Sequence, residues 1–214
     1  MTTSQKKSAG NIIIITVLLS VAYSVFRYNI LGPVPWKDLP FFISNKAISL
    51  AGFVLLSLNF TLGPIKNLGV NIPDDWLNAR QALGISGFLL ILIHALISFM
   101  LFNPEILPIF FQENETISLI GGVSMLGGIL GFVVLWAYNL SFQTHMREDK
   151  AFIAFITSRR FLLIAMLFTM VHIFFMGYQG WMNPSGWHGN LPPISLVAFS
   201  IFVISYVINL VGRK

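Results

Sequence analysis

Six stretches of this chain are each long and apolar enough to cross a bilayer, and this restricts the fold more than any motif. They cover about residues 11–31, 45–62, 82–102, 119–140, 161–179 and 194–211, against the roughly 20 residues a helix needs to span the hydrocarbon core. Inside lipid, backbone donors and acceptors are satisfied only within a helix or a closed barrel. Barrel-type alternation is absent. The expected class is therefore all-α: a polytopic membrane protein, one six-helix transmembrane bundle over 1–214. Only 10% of the residues are charged, where soluble domains carry about 25%, so a soluble globule is excluded.

The ends of the spans are marked by turn or charge signals. TLGPIKN follows the second, NPE the third and GWMNPSG the fifth, and LPP precedes the sixth. The first span follows Lys6 and Lys7 in the manner of a signal peptide. It runs past the AYS at 22–24 into Phe26 and Arg27 without a convincing cleavage site, and reads as an uncleaved helix.

Basic residues set the expected orientation. Ten of the thirteen fall at the termini and in the loops after spans two and four: Lys6, Lys7, Lys66, Arg80, Arg147, Lys150, Arg159, Arg160, Arg213 and Lys214. Arg27, Lys37 and Lys46 fall on the other side, with Glu105, Glu113 and Glu115 in its longest loop. By the positive-inside rule both termini are cytoplasmic, and the loops at 32–44, 103–118 and 180–193 face outward. The net charge of +5 thus reports orientation in a lipid membrane, and no nucleic acid partner is implied. With no cysteine, disulfides, iron–sulfur clusters and thiol chemistry are out. No phosphate-binding loop or dinucleotide fingerprint occurs, and no extramembrane catalytic domain remains once the spans are assigned.

Two histidines interrupt the apolar runs: His94 in LLILIHALISFM and His172 in FTMVHIFFM. His94 lies fourteen residues after Arg80 and His172 thirteen after Arg159, which places both about 20 Å from the cytoplasmic helix ends. Two imidazoles at one depth on two helices can face each other across a bundle, as the axial ligands of a haem do. Residues seven before and four after a helical position share its face. For His94 these are Gly87 and Ser98, and for His172 Ala165 and Met176. Gly87 and Ala165, both small, would let a porphyrin edge approach the backbone, although small residues also promote plain helix packing. The alternative for each histidine alone is a hydrogen bond to a neighbouring helix. The matched pair favours the ligand role, since intramembrane ionisable groups are functional by default. Zinc is poorly supported for want of further ligands, and the acid-free spans argue against a proton relay or ion-coupled transport.

The stretches LSLNFTLGPI (56–65), ARQALGISGFLLILIHALISFMLF (79–102) and SRRFLLIAMLFTMVHIFF (158–175) resemble the ferric reductase-like transmembrane domain superfamily. Within it they are most similar to the haem-binding membrane subunit of the bacterial methionine sulfoxide reductase system (MsrQ, also called YedZ). The resemblance covers roughly residues 45–180, with Arg80, Leu83, Gly84, Ile85 and His94 in the family's spacing. It implies a multi-pass protein of the bacterial inner membrane, with His94 and His172 as axial ligands to the iron of the outer haem b. The superfamily's inner-haem pair falls on Arg80 and Arg159. The MsrQ-like proteins already have arginine at the first position, but usually keep histidine at the second, with tryptophan four residues earlier where this chain has Phe155. One haem is therefore expected, not two.

Arg80 lies within about 40° of the His94 face, and the inward orientation of Arg159 rests on the resemblance. The two arginines are expected to line a pocket for a flavin phosphate, a quinone or a haem propionate, which guanidinium suits. Snorkelling to the headgroups is the alternative. His145 reads as a solvated loop residue. His188, with Trp181 and Trp187, reads as part of an interfacial belt, a docking surface being the alternative. Gly127 and Gly131 read as close helix packing.

The resulting expectation is a b-type cytochrome that passes electrons to an extracytoplasmic redox partner. The donor is a separate reductase, a quinol or a membrane-embedded flavin, the last two favoured by the gap of about 20 Å to the cytosol. The rival is a non-catalytic membrane scaffold or complex subunit whose histidines only pack.

Overall fold

A computed structural model describes residues 3–143, 146 and 148–212. His145, Arg147, Arg213 and Lys214 lie outside the described residues. The described residues form seven α-helices: α1 (Thr3–Val25), α2 (Ser44–Asn67), α3 (Asp74–Met100), α4 (Leu119–Leu140), the short α5 (Lys150–Ile156), α6 (Arg159–Trp181) and α7 (Ile194–Gly212). All but α5 lie in segments long and apolar enough to cross a membrane. Among the described residues there is no strand, only an isolated bridge between Phe111 and Ile117.

Local chemistry explains where the helices start. Ser118 caps α4 by accepting from the Gly121 amide at 3.0 Å, Ser158 caps α6 by accepting from Phe161, and Asp149 caps α5. Two boundaries differ from the sequence expectation. Helix α2 runs through Gly63 and Pro64 to Asn67. Its last turn holds because Leu68 donates to the Pro64 carbonyl at 3.1 Å and α7 packs on it at Gly212. Helix α3 starts at Asp74, ahead of the apolar run, with Asp74 and Asp75 in its first turn. Acids there complement the helix dipole, so Arg80 stands inside the helix and not at its tip.

Helix α2 is central. Of its most apolar window 72% is buried, against 17–33% for the other five spans. It packs on α1, α3 and α7, while α6 packs on α4 and α7. The outer surface is apolar, with Ile14, Leu18, Leu96, Leu126, Leu167 and Val211 exposed. Small polar residues lie inside and return their hydroxyls to their own helices: Thr61 to the Ser57 carbonyl, Thr169 to Ala165, Ser205 to Ile201. Apolar side chains outside and hydroxyls bonded to their own helices inside suit a lipid solvent. Trp36 is exposed between α1 and α2, and Trp76 and Trp136 are exposed near the opposite end; tryptophan favours the two membrane–water interfaces.

Glycines set the closest helix approaches. A Cβ on Gly87 would lie 3.1 Å from the Gly52 carbonyl oxygen and 3.0 Å from the Leu56 nitrogen, so α3 is sealed against α2 there. A Cβ on Gly127 would lie 3.0 Å from the His172 nitrogen, which seats α4 on α6. At one end of the bundle Ala9 packs with Leu62, Ala79 and Leu83, and Asn67 donates to the Gly212 carbonyl at 3.1 Å. At the other end, Tyr23 donates to the Pro192 carbonyl at 2.7 Å and Arg27 to Leu191 at 3.0 Å. These contacts tie the 182–193 loop to the end of α1.

Candidate functional site

Helices α3 and α6 each pack on other partners and share no extensive interface. Towards the end bearing the 101–118 and 182–193 loops, a cavity of about 420 Å³ opens between them. Its walls come from α2, α3, α4, α6 and α7, and Phe102, Leu107 and Phe110 close it on the loop side. The lining is mostly apolar, and the volume lies in the range of small-molecule sites, about 300–1,000 Å³. Both His94 and His172 line it, as do Ser98 and Met176, the residues four positions after them.

Each imidazole is held from behind. Asn45, on the first turn of α2, accepts from Nδ1 of His94 at 2.8 Å, while its own amide donates to Ser98 Oγ at 2.9 Å. Nδ1 of His172 lies 2.8 Å from the backbone carbonyl oxygen of Ser124 on α4, an atom that can only accept. Both arrangements assign the proton to Nδ1 and leave the lone pair on Nε2. No hydrogen-bond partner of either Nε2 is found among the described residues. A neutral imidazole anchored through Nδ1–H to an oxygen, with Nε2 free, is the form that binds a metal. Gly128 makes room for it, since a Cβ there would lie 2.8 Å from His172 Nδ1.

Among the described residues, no three His, Cys, Asp or Glu side chains gather as a metal-ligand set. Two imidazoles alone would leave a metal under-coordinated; a porphyrin would supply the further nitrogen donors, and His94 and His172 are the residues that would hold it. Two free Nε2 atoms and a mostly apolar lining suit such a ring.

Other expected site residues are placed differently. Gly87 faces Gly52 and Leu56 on α2, and Ala165 is buried in the core; neither lines the cavity. Seven residues share the histidine's face but lie about 10 Å further along the helix, where the helices have already closed. Arg80 and Arg159 lie at the opposite end of the bundle but are not brought into one pocket. Arg80 donates to the Asn59 carbonyl at 3.0 Å and lines a recess with Gly63, Pro64, Asn67, Tyr138 and Thr157. Arg159 is exposed, lies outside that recess and donates to the Leu210 carbonyl. In the 180–193 region, Trp181 turns inward and donates to Ser195 Oγ at 2.9 Å, so it ties α6 to α7. His188 packs edge-on against Tyr28 at 6.1 Å.

Sequence reasoning missed Asn45, Ser124 and Gly128. Asn45 carried one signal, a polar residue at the mouth of an apolar run. Ser124 acts through its backbone, which no side-chain pattern announces. Compared with known proteins, the chain matches no family model and no curated protein.

Proposed function

We propose that this chain is a b-type haem protein of the bacterial inner membrane. It holds one haem between His94 and His172, with both termini cytoplasmic, and passes electrons to an extracytoplasmic partner. The observation that carries this reading is the pair of Nδ1-anchored imidazoles, on two helices that share no extensive interface with each other, lining one apolar cavity. The resemblance to the ferric reductase-like superfamily and its MsrQ-like branch, read from stretches that contain these two histidines, points the same way. Bound there, a haem supplies one-electron chemistry in a low-dielectric site. The protein's part is to fix both imidazoles by Asn45 and Ser124, to exclude water with the Phe102, Leu107 and Phe110 roof, and to set the depth in the membrane. The recess at Arg80 is the proposed place for a quinone or flavin donor, in keeping with a guanidinium that recognises carbonyl or phosphate oxygens.

A scaffold reading is favoured by the same two hydrogen bonds, which tie α3 to α2 and α6 to α4. The free Nε2 atoms and the cavity between them have no use in that reading. An absorbance spectrum of the detergent-purified protein, oxidised and reduced, separates the two. Soret and reduced α-bands that disappear in both His94→Ala and His172→Ala are the expected result, and a featureless spectrum leaves the scaffold. Two haems per chain would refute the single site.

A further inference from the structure

Among the described residues, Lys46 is the one formally charged residue that lines the cavity. Its ammonium lies 4.5 Å from the ring centroid of Phe42 and 5.3 Å from that of Tyr28. The guanidinium of Arg27 lies 4.5 Å from the same Tyr28 ring, and Arg27 is only 4% exposed. Among the described residues the one ion pair within 4.0 Å is Lys66–Asp74, at the other end of the bundle. Two cations therefore converge on one tyrosine of the cavity lining, and among the described residues no carboxylate lies within 4.0 Å of either. Aromatic faces offset only part of the cost of removing such charges from water. A buried cation without a counter-ion is stable when something else supplies the anion.

We infer that Lys46, backed by Arg27, receives a carboxylate edge of the molecule that fills the cavity. Resting on the haem reading above, that edge is the propionates. The position adds a constraint. Asn45 orients His94 from one residue of the first turn of α2, and Lys46 is the next residue, so one turn of helix sets both the iron ligand and the direction of the acidic edge. The propionates then point to the end bearing the 31–43 and 182–193 loops, and the vinyl edge points into the bundle.

The test uses the full chain, prepared haem-free in phosphatidylcholine nanodiscs and titrated with ferric protoporphyrin IX or its dimethyl ester, followed at the Soret band. Wild-type protein is expected to bind the diacid about tenfold or more tighter than the ester, the scale of a lost hydrogen bond to a charged group. Lys46→Met removes that preference by weakening the diacid alone, and Lys46→Arg restores most of it. Equal binding of diacid and ester by the wild type overturns the inference while leaving the haem reading intact. Weakening of both ligands alike by Lys46→Met overturns it in favour of a packing role. Competition by phosphatidylglycerol that vanishes in Lys46→Met assigns the cations to a lipid phosphate and also overturns it. No binding of either porphyrin takes down the haem reading as well.

Discussion

Asn45 and His94 meet across the α2–α3 interface, the amide oxygen of the first accepting from Nδ1 of the second at 2.8 Å. The asparagine is fixed in turn by its bond to Ser98, so a residue of the central helix decides which way the imidazole of its neighbour faces. Asn45→Leu keeps the shape and removes the acceptor. Haem affinity is expected to fall about 10–100-fold, as for other orienting groups behind metal-bound histidines. Haem per chain by pyridine haemochrome checks it, and an unchanged ratio would deny Asn45 the role.

Ser124→Ala should behave otherwise. The acceptor for His172 is the Ser124 backbone carbonyl, which survives the change; the Oγ bond to the His172 carbonyl at 3.0 Å and the longer Oγ contact with Nδ1 are lost. Thermal stability should drop by about 1 kcal/mol, with haem content unaltered. Loss of haem in this variant would show that the hydroxyl, at 3.3 Å from Nδ1, is the true partner.

Gly128→Ala forces a methyl to 2.8 Å from His172 Nδ1, whereas Gly131→Ala brings one to 3.2 Å from Thr169 Oγ1, away from the ring. Gly128→Ala overpacks the α4–α6 seam, at about 1–3 kcal/mol, whereas Gly131→Ala asks its neighbours to give only a few tenths of an ångström. Only Gly128→Ala should also displace the imidazole and lower haem occupancy. Comparing melting temperature with Soret absorbance in the two variants separates packing from ligation.

Arg80 and Arg159 are expected to part company in kinetics. Arg80→Gln should slow reduction of the haem by a quinol analogue about tenfold, the scale of one charge-assisted contact, without changing haem content. Arg159→Gln, off the recess and exposed, should leave the rate as it was. Equal rates for all three proteins in stopped flow would remove Arg80 from the donor site.

Because the chain has no cysteine, single introduced thiols report sidedness directly. Glu113→Cys should react with a membrane-impermeant maleimide in intact spheroplasts, and Lys150→Cys only after lysis. The reverse pattern would invert the proposed topology.

The spans were legible because a run of about 20 apolar residues has few other uses, and the shared depth of His94 and His172 follows from helical rise alone. What holds the rings was not legible. Whether Asn45 reaches His94 depends on the rotation of α2 against α3, which the Gly52–Gly87 contact sets, and that pairing of helices is a tertiary fact. Gly87 and Ala165 show the converse error, in which angular agreement on a helical wheel hides an axial offset of about 10 Å. The early start of α3 at Asp74 was masked by its polar first turns, since hydropathy marks the apolar part of a helix and not its ends.

The two histidines belong to two pairs of helices, α2 with α3 and α4 with α6, joined through α7, and the gap between α3 and α6 is where the cavity lies. A ligand gripped by both would act as a clasp between the two halves of the molecule. Its binding energy would then appear as mechanical cohesion, growing with ligand concentration by mass action. In a cell short of that ligand, newly made chains would have looser halves and shorter lives, so supply of the pigment would set the amount of protein.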